Sequence, residues 1–143
     1  MAAQLAGYTN YKYYVVTSAG PFVAQVEINR PDKLNAFSEP MWLEMRQLFQ
    51  QLSSDPDVRA VVLTGAGDRA FTAGLDVKAA SEGGILNRDG VDGARKATHL
   101  RRHIYEFQEC ITAIEKCEKR MQQPVLTFSP GEGNNHVPWP GRS

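Results

Sequence analysis

The residues best suited to do chemistry lie in the stretch Ala70-Phe71-Thr72-Ala73-Gly74-Leu75-Asp76-Val77. What they offer is backbone rather than a nucleophile and its base. A glycine at position 74 lets the chain turn and lets a ligand come close to it. The N–H groups that follow open a short apolar segment with helical spacing, and first-turn N–H groups have no partner inside a helix. Such donors suit an oxygen that gains negative charge during a reaction. The backbone N–H of Leu75 is the candidate donor. A plainer reading stands beside it on these residues alone: Gly74 permits a turn, and Asp76 supports a helix start.

Other constellations are weaker. Gly65-Ala66-Gly67-Asp68-Arg69-Ala70 fits the dinucleotide pattern G-x-G-x-x-G/A after a strand. That pattern needs a helix opening on the glycines and an acidic residue at the end of a second strand. Here Phe71 to Leu75 interrupts with another glycine, and Asp89, at roughly the right spacing, sits among glycines, so the nicotinamide reading is rejected. Arg95, Lys96, His99, Arg101, Arg102 and His103 form a basic run that reads as a solvated helix face, with Glu106 and Glu109 near enough to pair with it. His99 and His103 share a helix face, but no third ligand accompanies them, so no metal is expected. A G-x-S-x-G elbow is absent from the sequence, so Ser/His/Asp catalysis has no support.

These residues need elements to carry them. Tyr13 to Thr17 and Phe22 to Ile28 are β-branched and aromatic runs separated by Ser18-Ala19-Gly20-Pro21, which predicts a β-hairpin. Ser38 is placed to cap a helix that starts at Glu39-Pro40, with Met41, Met45, Leu48 and Leu52 as its apolar stripe. Val58 to Thr64 reads as a strand buried on both faces and parallel to a neighbour, which makes a βαβ crossover. Residues 82 to 90 read as a mobile loop rich in glycine. A long helix is predicted from Val91 to Lys119, with Ala97, Leu100, Ile104, Phe107, Ile111 and Ile114 at alternating spacings of three and four. Residues 121 to 143 hold four of the eight prolines and no periodicity, and read as an unpacked tail.

Composition bounds the partners. Sixteen basic and sixteen acidic side chains cancel, so nothing supports generic binding to nucleic acid or a membrane surface. No run approaches 18 apolar residues. Cys110 and Cys117 would sit about 10 Å apart along one helix, beyond disulfide reach. Neither a secretory leader nor a peroxisomal C-terminal tripeptide is legible.

Two blocks carry a resemblance. Asn29-Arg30-Pro31-Asp32-Lys33-Leu34-Asn35-Ala36 resembles the loop after the second strand of crotonase-superfamily enzymes. Val58 to Gly65 with Ala70 to Asp76 resembles their next strand and oxyanion-hole turn, so the likeness runs over about Tyr11 to Lys119. Within the superfamily, Phe71 to Asp76 and the helix from Arg102 to Cys117 look most like Δ3,5-Δ2,4-dienoyl-CoA isomerases, with enoyl-CoA hydratases as the alternative. The resemblance implies an α/β fold, a partial crotonase-type ββα spiral over residues 1–120 with a disordered tail over 121–143. It implies acyl-CoA as substrate and no cofactor, with Leu75 as one of two N–H donors to the thioester carbonyl. Ala73, Gly74, Asp76 and Val77 fall where relatives line the acyl and pantetheine groups, and Lys33 and Leu34 where the early loop approaches the nucleotide. It also implies a place in fatty-acid β-oxidation, in mitochondria or peroxisomes, and trimers or hexamers.

The second donor and the catalytic carboxylates of such enzymes follow the long helix. Gln123-Pro124-Val125-Leu126 echoes the start of the strand expected there, but Ser129-Pro130-Gly131-Glu132-Gly133 matches nothing in the pattern. The expectation is therefore a truncated product without useful isomerase turnover. A non-catalytic fragment that binds CoA thioesters or joins longer subunits is the alternative from another class.

Overall fold

In a computed structural model, residues 4–82 and 92–122 are described. The expected hairpin is present: β1 (Tyr14–Gly20) and β2 (Val23–Ile28) pair antiparallel, Tyr14 opposite Ile28 and Val16 opposite Val26. Phe22, expected inside the second strand, lies in the connecting turn instead, with φ of 62°. The turn holds only Pro21 and Phe22 between Gly20 and Val23, and since proline cannot take a positive φ, the left-handed residue of this turn is Phe22. Arg59 stacks on its ring, 4.1 Å from the centroid.

After a short 3-10 turn at Pro31–Lys33, helix α1 (Glu39–Ser54) crosses the sheet and leads into β3 (Ala60–Gly65), which lies parallel to β2 with Val26 opposite Leu63 and Ile28 opposite Gly65. The predicted crossover is thereby formed. Ser38 is the N-cap residue as expected, but its side chain makes no capping bond; its carbonyl receives Met41 and Trp42 N–H instead. The apolar stripe of α1 is wider than the four predicted positions, since Trp42 and Phe49 are buried with them. Tyr14, Val16, Val26, Ile28, Val61 and Leu63 meet this stripe in one core, and the Tyr14 hydroxyl donates to the Met41 carbonyl at 3.0 Å. Only one face of β3 is buried, through Val61 and Leu63, while Ala60, Val62 and Thr64 are half-buried. The expectation of burial on both faces fails because no described element fully covers the second.

Helices α2 (Val77–Glu82) and α3 (Gly93–Glu115) follow, and β4 (Arg120–Gln122) adds parallel to β3, giving the sheet order β1-β2-β3-β4. Met121 and Gln122 therefore belong to the sheet, not to a tail that starts at 121; the backbone pairing of Val61 and Val62 captures them whatever their composition. The rest of the expected tail and the glycine-rich loop from residue 83 on lie outside the described residues. The N-terminal segment straps α1 down. Tyr8 is buried and its hydroxyl donates to Asp55 at 2.5 Å, while Glu44 accepts the N–H groups of Lys12 and Tyr13.

Candidate functional site

The site is built around Asn35, a side chain with no solvent exposure at all. Leu34 and Asn35 both take left-handed backbone, φ 52° and 55°. Asparagine tolerates that conformation better than most residues. The turn aims its amide inward. Asn35 Oδ1 accepts Arg30 N–H at 3.0 Å, and Nδ2 donates to the Ala66 and Ala70 carbonyls at 2.9 Å each. One side chain thus ties the loop after β2 to the loop after β3. The two loops approach so closely that a Cβ at Gly65 would sit against the Phe71 carbonyl oxygen, 2.8 Å from Phe71 Cα and 2.9 Å from Asn35 Nδ2.

Residues 72–76 run along this clamp. Ala73 N–H donates to the Leu34 carbonyl at 2.9 Å. Phe37 and Leu75 form a parallel bridge, in which Phe37 N–H donates to Gly74 at 2.7 Å and Asp76 N–H to Phe37 at 2.9 Å. In a parallel bridge the central residue's own N–H and carbonyl point away from its partner strand. Leu75 is that residue, and among the described residues its N–H meets no acceptor. The donor expected from sequence is therefore free, but for a different reason. Helix α2 begins only at Val77, and Asp76 is its cap, accepting Ala79 N–H at 3.0 Å on its side chain and Ala80 N–H at 2.9 Å on its carbonyl. Leu75 lies before the helix, and β-pairing rather than an open helix end leaves its N–H unpartnered.

Asp76 also meets Arg30, Oδ2 to Nη1 at 2.8 Å, and the same nitrogen donates to the Ala36 carbonyl at 2.9 Å. The Ala79 N–H holds the Asp76 carboxyl below its ordinary value, and Arg30 and Lys33 add to the effect. An acid so stabilised in its charged form is a poor proton acceptor.

Beside this segment lies an apolar cleft of about 440 Å³ between the start of α1, residues 74–80 and α3. Phe37, Trp42, Leu75, Leu100, Ile104 and Phe107 are among its walls. The stripe predicted on α3 splits in two. Ile114 and its neighbours Ala113 and Cys117 pack on the core, whereas Leu100, Ile104, Phe107 and Ile111 face the cleft. Trp42 and Phe107 meet across the helix pair with ring centroids 4.1 Å apart.

Of the seven residues singled out from sequence, Gly74, Leu75 and Asp76 line the cleft. Ala73 and Leu34 are joined by their backbone bond, Lys33 is exposed, and Val77 is exposed at the head of α2. Arg30, Asn35 and Thr72 hold the site together without having been given a role. Their types were visible, but each works through a partner more than 30 positions away: Asp76, Ala66 and the Asn35 carbonyl. His103 faces Glu39 at 3.8 Å, and among the described residues no three His, Cys, Asp or Glu side chains gather as a metal site requires. No described helix is long and apolar enough to cross a membrane.

A family described as enoyl-CoA hydratase/isomerase matches residues 19–115. The mitochondrial Delta(3,5)-Delta(2,4)-dienoyl-CoA isomerase of Mus musculus is 45% identical over 111 residues, which is 77% of this chain and 33% of that protein. The peroxisomal Delta(3,5)-Delta(2,4)-dienoyl-CoA isomerase of Arabidopsis thaliana is 39% identical over 92 residues, 64% of this chain and 33% of that protein. Among solved structures, an enoyl-CoA hydratase/isomerase from Mycobacterium paratuberculosis superposes with a TM-score of 0.62 at 29% identity, over 81% of this chain and 42% of its own. The chain thus spans about a third of the length of the curated relatives it matches.

Proposed function

The chain belongs to the enoyl-CoA hydratase/isomerase family, and we propose that it carries the acyl-CoA-binding and first oxyanion-donor part of a 3,5-dienoyl-CoA to 2,4-dienoyl-CoA isomerase. The observation that carries this is the Leu75 N–H, left free by its β-bridge at the edge of an apolar cleft. A thioester carbonyl that gains charge as an enolate forms is stabilised by such a pre-aimed donor. The acyl chain lies along Phe37, Trp42, Leu100 and Ile104. Gly74 gives the backbone room at the carbonyl. Ala73, Asp76 and Val77 border the acyl and pantetheine groups, and Lys33 and Leu34 meet the nucleotide end. Acyl-CoA is the substrate, and no cofactor takes part.

Proton transfer is assigned to groups beyond these. Among the described residues, the titratable side chains at the cleft are Glu39, Asp76 and His103, and Asp76 is committed to Arg30 and Ala79. Among the described residues only the Leu75 donor is identified, and one oxyanion donor without a second leaves a rate deficit of about 100- to 1,000-fold. The 143-residue chain alone is therefore expected to bind a 3,5-dienoyl-CoA with negligible turnover. A mitochondrial or peroxisomal setting, supported by the relatives' names, belongs to the same proposal, as does the trimeric or hexameric association that the family resemblance implies.

Calorimetry with a 3,5-dienoyl-CoA, alongside the absorbance of the conjugated product, tests the reading. Saturable binding supports it, and binding by free CoA alone with no gain from the acyl group contradicts it. Turnover of a 2-enoyl-CoA by hydration in place of diene migration points to the hydratase alternative.

A further inference from the structure

We propose that Thr72 is a positioning residue for the Leu75 N–H, acting through its hydroxyl on Gly74; this rests on the acyl-CoA reading of that N–H. Gly74 sits at φ +85° with nothing within 4 Å of where a Cβ would be. Its conformation is therefore not imposed by packing. The Gly74 carbonyl, which shares a rigid peptide plane with the Leu75 N–H, accepts Phe37 N–H at 2.7 Å, and the freedom that a glycine leaves is in the peptide ahead of that plane. A donor that wanders must be ordered at the moment of reaction, which forfeits the advantage of pre-organisation.

The hydroxyl of Thr72 removes this freedom from the upstream side. It donates to the Asn35 carbonyl at 2.7 Å and accepts Gly74 N–H at 3.1 Å. Its anchor is firm, because the Asn35 amide is held by Arg30, Ala66 and Ala70 in a fully buried position. On the downstream side, Asp76 is held by Phe37, Arg30 and Ala79. Leu75 is thus spanned by two tethered neighbours, while its own N–H keeps no partner among the described residues. Thr72 touches no reacting atom in this arrangement; it acts through the peptide ahead of the donor.

The test uses Thr72→Val, which keeps the branched shape and loses the hydroxyl, and Thr72→Ser, which keeps the hydroxyl. Thr72→Ala is the second hydroxyl-free variant should Thr72→Val fail to fold. Affinities are measured for an acyl-CoA thioester and for the alkyl-CoA thioether of equal length, which lacks the carbonyl. The wild-type chain is expected to prefer the thioester by about fivefold, the worth of one ordinary hydrogen bond. Thr72→Val loses that preference while still binding the thioether, and Thr72→Ser retains it; a general loss of structure would weaken both ligands alike. In the same 15N-labelled proteins, the residual dipolar coupling of the Leu75 N–H reads the bond's direction without ligand. It is expected to change in Thr72→Val and to persist in Thr72→Ser, with the couplings of α1 unchanged. Retention of both the thioester preference and the Leu75 coupling in Thr72→Val overturns the proposal. Binding of neither ligand by the wild-type chain removes the acyl-CoA reading instead, and the coupling alone then decides the positioning role, overturning it if unchanged.

Discussion

Three residues show how one position can be required for different reasons. Gly65 is needed for space, Gly74 for backbone angle, and Asn35 for its polar atoms. A methyl at Gly65 meets Phe71 backbone and the Asn35 amide, none of which is free to move. Gly65→Ala is expected to cost about 2 kcal/mol or more through overpacking. Gly74→Ala meets open space and pays only for its positive φ, roughly 1–2 kcal/mol. Urea denaturation of the two variants checks the order. Asn35→Ala leaves the Arg30 N–H and two carbonyls without partners inside the protein, at about 1–3 kcal/mol for each group that water does not reach. Its denaturation midpoint is expected to fall below that of either glycine variant. The glycines were legible as turn residues from sequence. The buried role of Asn35 was not, because it depends on Ala66 and Ala70 arriving beside it.

At the scale of elements, carboxylates join the segments. Asp76 ties the loop after β2 to the head of α2, and Asp55 at the end of α1 receives the Tyr8 hydroxyl of the N-terminal strap. Both carboxyls are lowered from 3.8, Asp76 first by the Ala79 N–H and Asp55 first by Tyr8. A depressed folded-state value stabilises the fold above the unfolded value, and that stability is lost as pH falls through the folded one. Urea midpoints are therefore expected to drop on acidification from about pH 6 to about pH 3, and to drop less in Asp76→Asn, which has no such carboxyl to protonate. Equal acid sensitivity in parent and variant contradicts the role given to Asp76. Tyr8 works in the opposite direction. Burial, with the Asp55 bond, pushes its hydroxyl far above its ordinary value of 10, so its contribution holds below that value and is lost only in strong alkali. Helix spans and the hairpin were readable from periodicity and turn residues. The strap was not, since Tyr8 and Tyr11 stand outside any periodic run and find Asp55 and Gln51 only after α1 has folded back.

Across the whole molecule the two long helices are unequal. Six residues of α1 are buried, against Cys110 alone on α3. Opening free energy follows buried apolar contact, so α3 amides are expected to exchange with solvent before those of α1 and the sheet. Thiol alkylation reports the same hierarchy: Cys117, half-buried near the end of the helix pair, reacts before Cys110, whose thiol is buried and pushed up by that burial. Simultaneous labelling of both would mean that α3 opens as one unit. By itself, the sequence determined the order and type of the elements as far as α3, four positions of the α1 stripe, and the 73–76 turn with its candidate donor. These rest on local period and on glycine, both written in adjacent residues. Tertiary structure alone decided that a β-bridge to Phe37, not a helix end, frees the Leu75 N–H. It also decided that Asp76 is tied to Arg30, that four of the six α3 stripe residues wall a cleft, and that Met121 and Gln122 join the sheet. Each of these depends on which distant backbone or side chain comes within hydrogen-bond or van der Waals reach, and no local pattern records that.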